Sequence, residues 1–317
     1  MSKNIVFLVN KSEITAGTRG SSLGPAAIMT AARNKGSYIF GENQVEKLRS
    51  VNDLLDKPTP HRYAKRIDGL TEVYTVLDKK VSTLLNNGDF PIVLAADHGS
   101  AGGTIAGIKS ANPHKRLGVI WIDAHADIHT PFTTPSGNMH GMPLATALDI
   151  DNQECGINEV DEETVAFWNK LKNIGEIAPK VLPEDLVYIA VRDTEEQEEA
   201  VMQRLNIQNY EVAEVRSKGI SIMMTEIETK LSHCDMIYVS FDVDSMDPEL
   251  TSHGTGTPVP NGLTPMEAKE ILLHLAKNPK TVCMEVVEVN PCLDEKVNVM
   301  AEVTLDIIES ITKELKK

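Results

Sequence analysis

Two stretches of the chain carry carboxylates and histidines at a spacing suited to holding cations. G-V-I-W-I-D-A-H-A-D delivers Asp123, His125 and Asp127, and M-I-Y-V-S-F-D-V-D delivers Asp242 and Asp244. In an extended chain, side chains two apart point the same way, so i, i+2, i+4 spacing aims three ligands at one point. A third apolar run, ending A-A-D-H, adds His98. Four converging carboxylates repel one another strongly unless cations sit between them. The set His98, Asp123, His125, Asp127, Asp242 and Asp244 is hard and oxygen-rich, and it contains no cysteine, which argues against structural zinc. Manganese fits it best, with iron, cobalt and nickel allowed by the same ligand chemistry. Two such metals about 3.5–4 Å apart share one water, lower its pKa and set hydroxide beside an electrophilic carbon.

Single residues say less. A lone aspartate at a strand end is ordinarily a turn former or helix cap, and Asp247-Pro248 is read that way. A lone histidine is more often a satisfied, partly buried side chain. The joint pattern D-A-H-A-D plus D-V-D after two apolar runs is what turns the reading to metal binding, because burying those charges without cations is prohibitive. His140, in S-G-N-M-H-G-M-P-L, is placed to shuttle protons. Glu288, heading E-V-N-P after another apolar run, offers a carboxylate that pairs with a planar cation in bidentate fashion. Gly99, Gly102 and Gly103 follow a strand but lack G-x-G-x-x-G spacing, so dinucleotide binding is rejected.

The elements that must position these groups are short and regular. Strands are expected at 5–9, 91–96, 117–122, 186–191, 236–241 and 282–287. They are continuous apolar runs, as in strands covered on both faces. Helices such as 74–87, 162–172 and 265–276 lie between them. The last has a start signal: Thr264 caps, Pro265 takes the first helical position, and Glu267 completes a capping box. Alternation of strand and helix implies an α/β fold with a mostly parallel central sheet. Five of the strands run into polar residues (Asp97-His98, Asp123, Arg192-Asp193, Asp242, Glu288), and in such sheets ligands sit outside the carboxyl ends. One site thus draws on residues 98 to 288, so residues 1–317 are expected to form a single domain.

Of the 317 residues 41% are hydrophobic and 24% charged, which suits a globular chain with a large core. A net charge of −15 disfavours nucleic acid or anionic membranes as partners. No apolar stretch approaches the roughly 18 residues of a membrane span. The N-terminus lacks the apolar length and cleavage site of a signal peptide, so a cytoplasmic location is expected. Cys155, Cys234, Cys283 and Cys292 form no C-x-x-C pair and are expected to be buried free thiols.

In order along the chain, G-T-R-G-S-S-L-G-P-A-A-I-M, A-D-H-G, D-A-H-A-D, S-G-N-M-H-G-M-P-L, S-F-D-V-D-S-M-D-P, G-T-G-T-P-V-P-N-G-L-T and E-V-N-P resemble the ureohydrolases, the arginase and agmatinase superfamily, most closely its arginase branch. The resemblance covers nearly the whole chain and implies a three-layer α/β/α fold. It implies two Mn2+ ions, one held by His98, Asp123, Asp127 and Asp242, the other by Asp123, His125, Asp242 and Asp244. A bridging hydroxide, oriented by Asp127, would attack the guanidinium carbon of L-arginine, with His140 assisting proton transfer and Glu288 holding the guanidinium. L-ornithine and urea would leave. Ser136 and Asn138 would meet the α-carboxylate; Asp193, Glu195 and Glu198 face the α-amino end, Glu195 matching best; Thr257 lies near the substrate. The chain departs from the family at His129, where asparagine is usual and helps bind the α-carboxylate, and at Ala95-Ala96, where two glycines are usual. Three readings stand open here: an arginase; a ureohydrolase acting on agmatine, guanidinobutyrate or formiminoglutamate; and a metal-binding relative with impaired catalysis. The family also implies a homo-oligomer, a trimer or hexamer.

Overall fold

A computed structural model describes residues 3–295 and 298–317 of the chain. Among them, one sheet runs through β1 (Asn4–Asn10), β2 (Gln44–Lys47), β3 (Asp89–Ala95), β4 (Leu117–Ile122), β5 (Leu186–Ile189), β6 (Gln208–Tyr210), β7 (Met236–Asp242) and β8 (Thr281–Val287). The order across the sheet is β2-β1-β3-β8-β7-β4-β5-β6, and every adjacent pair is parallel. The five strands with polar carboxyl ends are therefore the contiguous centre of the sheet.

Each face of the sheet carries its own apolar layer. Helices Gly24–Lys35, Ile220–Lys230, Pro265–Lys277 and Val299–Leu315 cover one side, meeting Phe7, Ile120 and Phe241. Ile67–Asn86, Ala101–Ala111, Pro143–Leu148 and Glu162–Lys172 cover the other, meeting Trp121, Tyr188 and Tyr238. This is the three-layer α/β/α arrangement. Both faces of a central strand are dry, which is why these strands read as unbroken apolar runs.

The glycines after β3 serve this packing. A Cβ at Gly102 would lie 2.2 Å from Tyr74 Oη, and one at Gly107 2.7 Å from Val81 Cβ. Helix Ala101–Ala111 uses them to press against Ile67–Asn86, not to cradle a phosphate.

Several boundaries differ from expectation. The helix expected at 74–87 starts at Ile67, and β5 stops at Ile189 because Ala190 turns to φ +74°, which breaks the ladder. β2 and β6 were not expected. Both are three- or four-residue edge strands in which partly exposed polar side chains flank a single Val45 or a buried Tyr210, so they lack a continuous apolar run. The capping box at Thr264 is formed, with the Glu267 N–H donating to Thr264 Oγ1 and the Thr264 N–H to Glu267. All four cysteines are free, but only Cys234 and Cys283 are buried. Cys155 and Cys292 lie in turns outside the sheet layers, Cys155 half-buried and Cys292 exposed, which corrects the expectation of four buried thiols. No described helix is long and apolar enough to cross a membrane.

Candidate metal centre and substrate cleft

The carboxyl ends of β3, β4 and β7 bring all six candidate ligands together. His98 opens a short turn directly after β3. Its Nδ1 lies 2.9 Å from Asp123 Oδ2, 3.1 Å from Asp127 Oδ2 and 3.3 Å from Asp242 Oδ2. His125 Nδ1 lies 3.1 Å from Asp244 Oδ2 and 3.5 Å from Asp123 Oδ1. Two ligand groups thus adjoin and share Asp123: His98 with Asp123 and Asp127, and His125 with Asp123 and Asp244. Sequence spacing alone does not aim Asp127 inward. The strand has ended by then, and a positive φ of 50° at Asp127 turns its carboxylate back to the group, a backbone conformation that costs energy outside glycine.

The fit to cations rests on groups left without partners. His98 Nδ1 and Asp123 Oδ2 are buried and make no hydrogen bond, though they face each other. His98 Nε2 is 2.7 Å from Ser240 Oγ, and the ring stacks on Trp121 at 3.9 Å. With Nε2–H donating to the serine, the Nδ1 lone pair points into the carboxylates as a ligand would. Burial, then Asp123, pushes Asp127 up to about 6. Burial, then Asp244 and Asp123, drives Asp242 well above the carboxylate range. Against burial, His125 and His98 hold Asp123 below the carboxylate range, and the neighbouring carboxylates raise both histidines, so the six groups share protons where cations would otherwise sit. Two imidazoles with four carboxylates make a donor set for hard divalent ions.

Hydrogen bonds fix the carboxylates. Asp123 Oδ1 accepts from the His125 N–H and Asp242 Oδ1 from the Asp244 N–H, both at 2.8 Å. Asp244 accepts from the Ala124 N–H and from the Thr257 hydroxyl.

Above this floor is a cleft of about 210 Å³. His125 and Asp127 form its base, and His129, Ser136, Asn138, His140, Asp193, Glu195, Glu198 and Thr257 line its walls. Glu288 does not line it. It sits behind His140, with Oε1 3.9 Å from His140 Nδ1 and accepting from the His98 N–H at 2.9 Å. It too has a positive φ, 67°. Burial first, then His125 and His98, lowers His140 to about 4, so its imidazole is neutral at pH 7.

The outer wall is built from loops. Gly137 holds the S-G-N turn at φ +76°, where a Cβ would lie 2.1 Å from the Arg62 carbonyl. Lys65 Nζ donates to Asn138 Oδ1 at 3.1 Å, leaving the amide N–H groups as donors. His129 is buried: Nδ1 lies 3.1 Å from Thr133 Oγ1, Nε2 3.0 Å from Glu195 Oε2 and 3.6 Å from Glu198 Oε2. Its hydrogen bond is the main cause that lowers Glu195 to about 2, while burial, then Glu195, raises Glu198.

The arginase family model matches residues 3–313. The chain is 33% identical to the arginase of Brevibacillus brevis over 317 residues, 98% of each chain. It is 36% identical to that of Bacillus caldovelox over 304 residues, 92% of each. It superposes on the crystal structure of Bacillus cereus arginase with a TM-score of 0.81 at 30% identity, covering 98% of each chain.

The chain belongs to the arginase family.

It is accordingly a metal-dependent C–N hydrolase. Sequence reasoning did not single out several supports of this arginase-family site. Ser240 and Trp121 orient His98 from within apolar strand runs. Arg192, at one of the polar strand ends, turns away from the cleft. Its guanidinium donates to the carbonyls of Ala190, Asp244, Ser245, Val259 and Pro260, stapling the loop after β7 to the end of β5. Glu13 accepts from the Gly20 and Ser22 N–H groups and so folds the N-terminal glycine segment. An acidic residue seven positions before a glycine turn was the available signal.

Proposed function

We propose that this chain hydrolyses the guanidinium group of L-arginine to L-ornithine and urea. Two manganese ions would be held by His98, Asp123, Asp127 and Asp242, and by Asp123, His125, Asp242 and Asp244. The observation that carries this reading is a single cleft joining the hard ligand cluster at its base to the Ser136–Asn138 turn and the Asp193 and Glu195 carboxylates at its rim. The metal pair supplies Lewis acidity and lowers the pKa of water at the site.

The rest falls to side chains. The Ser136 hydroxyl and the Asn138 amide donate to the α-carboxylate, and Glu195 and Asp193 accept from the α-ammonium. Glu288, behind His140 and off the cleft wall, is left out of the substrate contacts, against the expectation that it holds the guanidinium. Asp127 orients the attacking water. The water oxygen bonds to the guanidinium carbon, the bond from that carbon to the side-chain nitrogen breaks, and the neutral His140 relays a proton to the departing amine. Thr257 steadies Asp244.

His129 favours a runner-up. Because it already engages Glu195, a substrate that keeps the carboxylate and lacks the α-ammonium, such as guanidinobutyrate, is the next candidate. The test is product release from arginine, agmatine, guanidinobutyrate and formiminoglutamate by manganese-loaded protein, with bound metal quantified in the same sample. Arginine is expected to lead. Agmatine turning over as fast as arginine would remove Ser136 and Asn138 from the reading.

A further inference from the structure

The Ser136–Asn138 turn is gripped from behind by a residue that the reaction above does not use. The Lys65 N–H donates to the Gly137 carbonyl at 2.8 Å, and Lys65 Nζ donates to Asn138 Oδ1 at 3.1 Å. One residue thus holds the turn twice, by backbone and by side chain. It does not line the cleft itself.

The side-chain bond decides what the turn offers a ligand. A carboxamide has a donating end and an accepting end of nearly equal shape, and only the donating end suits a carboxylate. A lysine ammonium has protons to give and no lone pair, so it claims the Asn138 oxygen and fixes the amide nitrogen on the other side. That nitrogen lies against Gly17, where a Cβ would come within 2.9 Å of it. Among the described residues no acceptor takes its protons. The neighbouring hydroxyl is set in the same sense. Ser136 Oγ accepts from the Asn138 backbone N–H at 3.1 Å, which leaves its own proton to give.

Charge acts in the same direction. Lys65 is partly buried and pairs with no carboxylate among the described residues. In a chain of net charge −15, whose cleft has Asp127 in its base and Asp193 and Glu195 on its far rim, an ammonium one side chain behind this turn is a local positive potential.

We infer that Lys65 is a positioning residue that sets specificity: it holds the Asn138 amide with its N–H groups toward the cleft and adds an unpaired positive charge, so that the cleft favours guanidino compounds bearing a carboxylate over their decarboxylated counterparts. The inference rests on the reading of the Ser136–Asn138 turn as the α-carboxylate site.

The test compares wild type, K65M, K65R, N138A and the K65M/N138A double variant as manganese-loaded proteins. Steady-state kinetics on arginine are paired with calorimetric binding of L-ornithine and of 1,4-diaminobutane, the same molecule without its carboxylate. Metal content and melting temperature are recorded alongside. K65M should raise KM for arginine and the Kd of L-ornithine about tenfold, as for a lost hydrogen bond to a charged group, with kcat and 1,4-diaminobutane binding within about twofold. K65R keeps a charged donor and should recover most of the loss. Added to N138A, K65M should cost well under its effect alone, because both act on one contact. Wild-type KM and L-ornithine affinity in K65M would overturn the proposal and leave the carboxylate site standing. Joint falls in kcat, metal content and melting temperature without rescue by K65R would describe a purely structural role and overturn it too. A wild-type protein that binds 1,4-diaminobutane as tightly as L-ornithine would remove the carboxylate reading of the turn, and the proposal with it.

Discussion

The two ends of the cleft are made differently. The base is set by strand ends: His98, Asp123, Asp242 and Asp244 are all nearly inaccessible, and neighbouring strands fix their positions. The rim is set by loops, with Ser136, Asn138, Asp193 and Glu195 on turns and a helix start, and Asp193 and Glu195 largely exposed. The base has many partners per carboxylate and little freedom; the rim has few partners, and His129 already occupies one of its carboxylates. Chemistry held by the sheet is hard to alter one residue at a time, whereas recognition held by loops shifts with a single substitution.

Removing the shared ligand tests the base most severely. Asp123→Ala should empty both ligand groups and lower kcat/KM by about a thousandfold or more, with metal content measured on the same protein; retained metal would show that the two groups do not depend on it. His125→Ala touches one group, so about half the bound metal and most activity should go while circular dichroism stays unchanged. Normal turnover in that variant would make the ligand assignment wrong. At the rim, Asn138→Ala should raise KM for arginine about tenfold and leave kcat nearly intact, as expected for a lost hydrogen bond to a charged group. A fall in kcat with metal loss would instead tie rim and base together. The smallest effect belongs to His129→Asn. Freeing Glu195 for the α-ammonium should lower KM for arginine roughly fivefold, about 1 kcal/mol, without changing manganese affinity. An unchanged substrate profile would make the histidine neutral.

What the sequence made legible follows the same division. D-A-H-A-D and D-V-D announced the base because period-two spacing at the end of an apolar run has few other physical meanings. The capping box at Thr264 was equally plain, since its signals are local. The turn at Asp127, where φ becomes positive, was not visible, nor was the withdrawal of Glu288 behind His140; both depend on backbone conformations that side-chain patterns do not report. The cage around Arg192 was not visible because a charge at a strand end looks the same whether it faces a ligand or a ring of carbonyls. The role of Ser240 was hidden for the opposite reason: one serine in an apolar run carries no pattern. The edge strands β2 and β6 went unseen because half-exposed polar segments resemble loops.

The carbonyl cage around Arg192 limits how this molecule could be remodelled. Five acceptors converge on one planar cation, whereas a lysine in its place could offer at most three protons. Arg192→Lys, conservative by charge, would leave at least two oxygens unserved and slacken the tether on residues 244–260. Thr257 rides on that segment, so a swap far from any reacting atom would be felt as a misaligned Asp244.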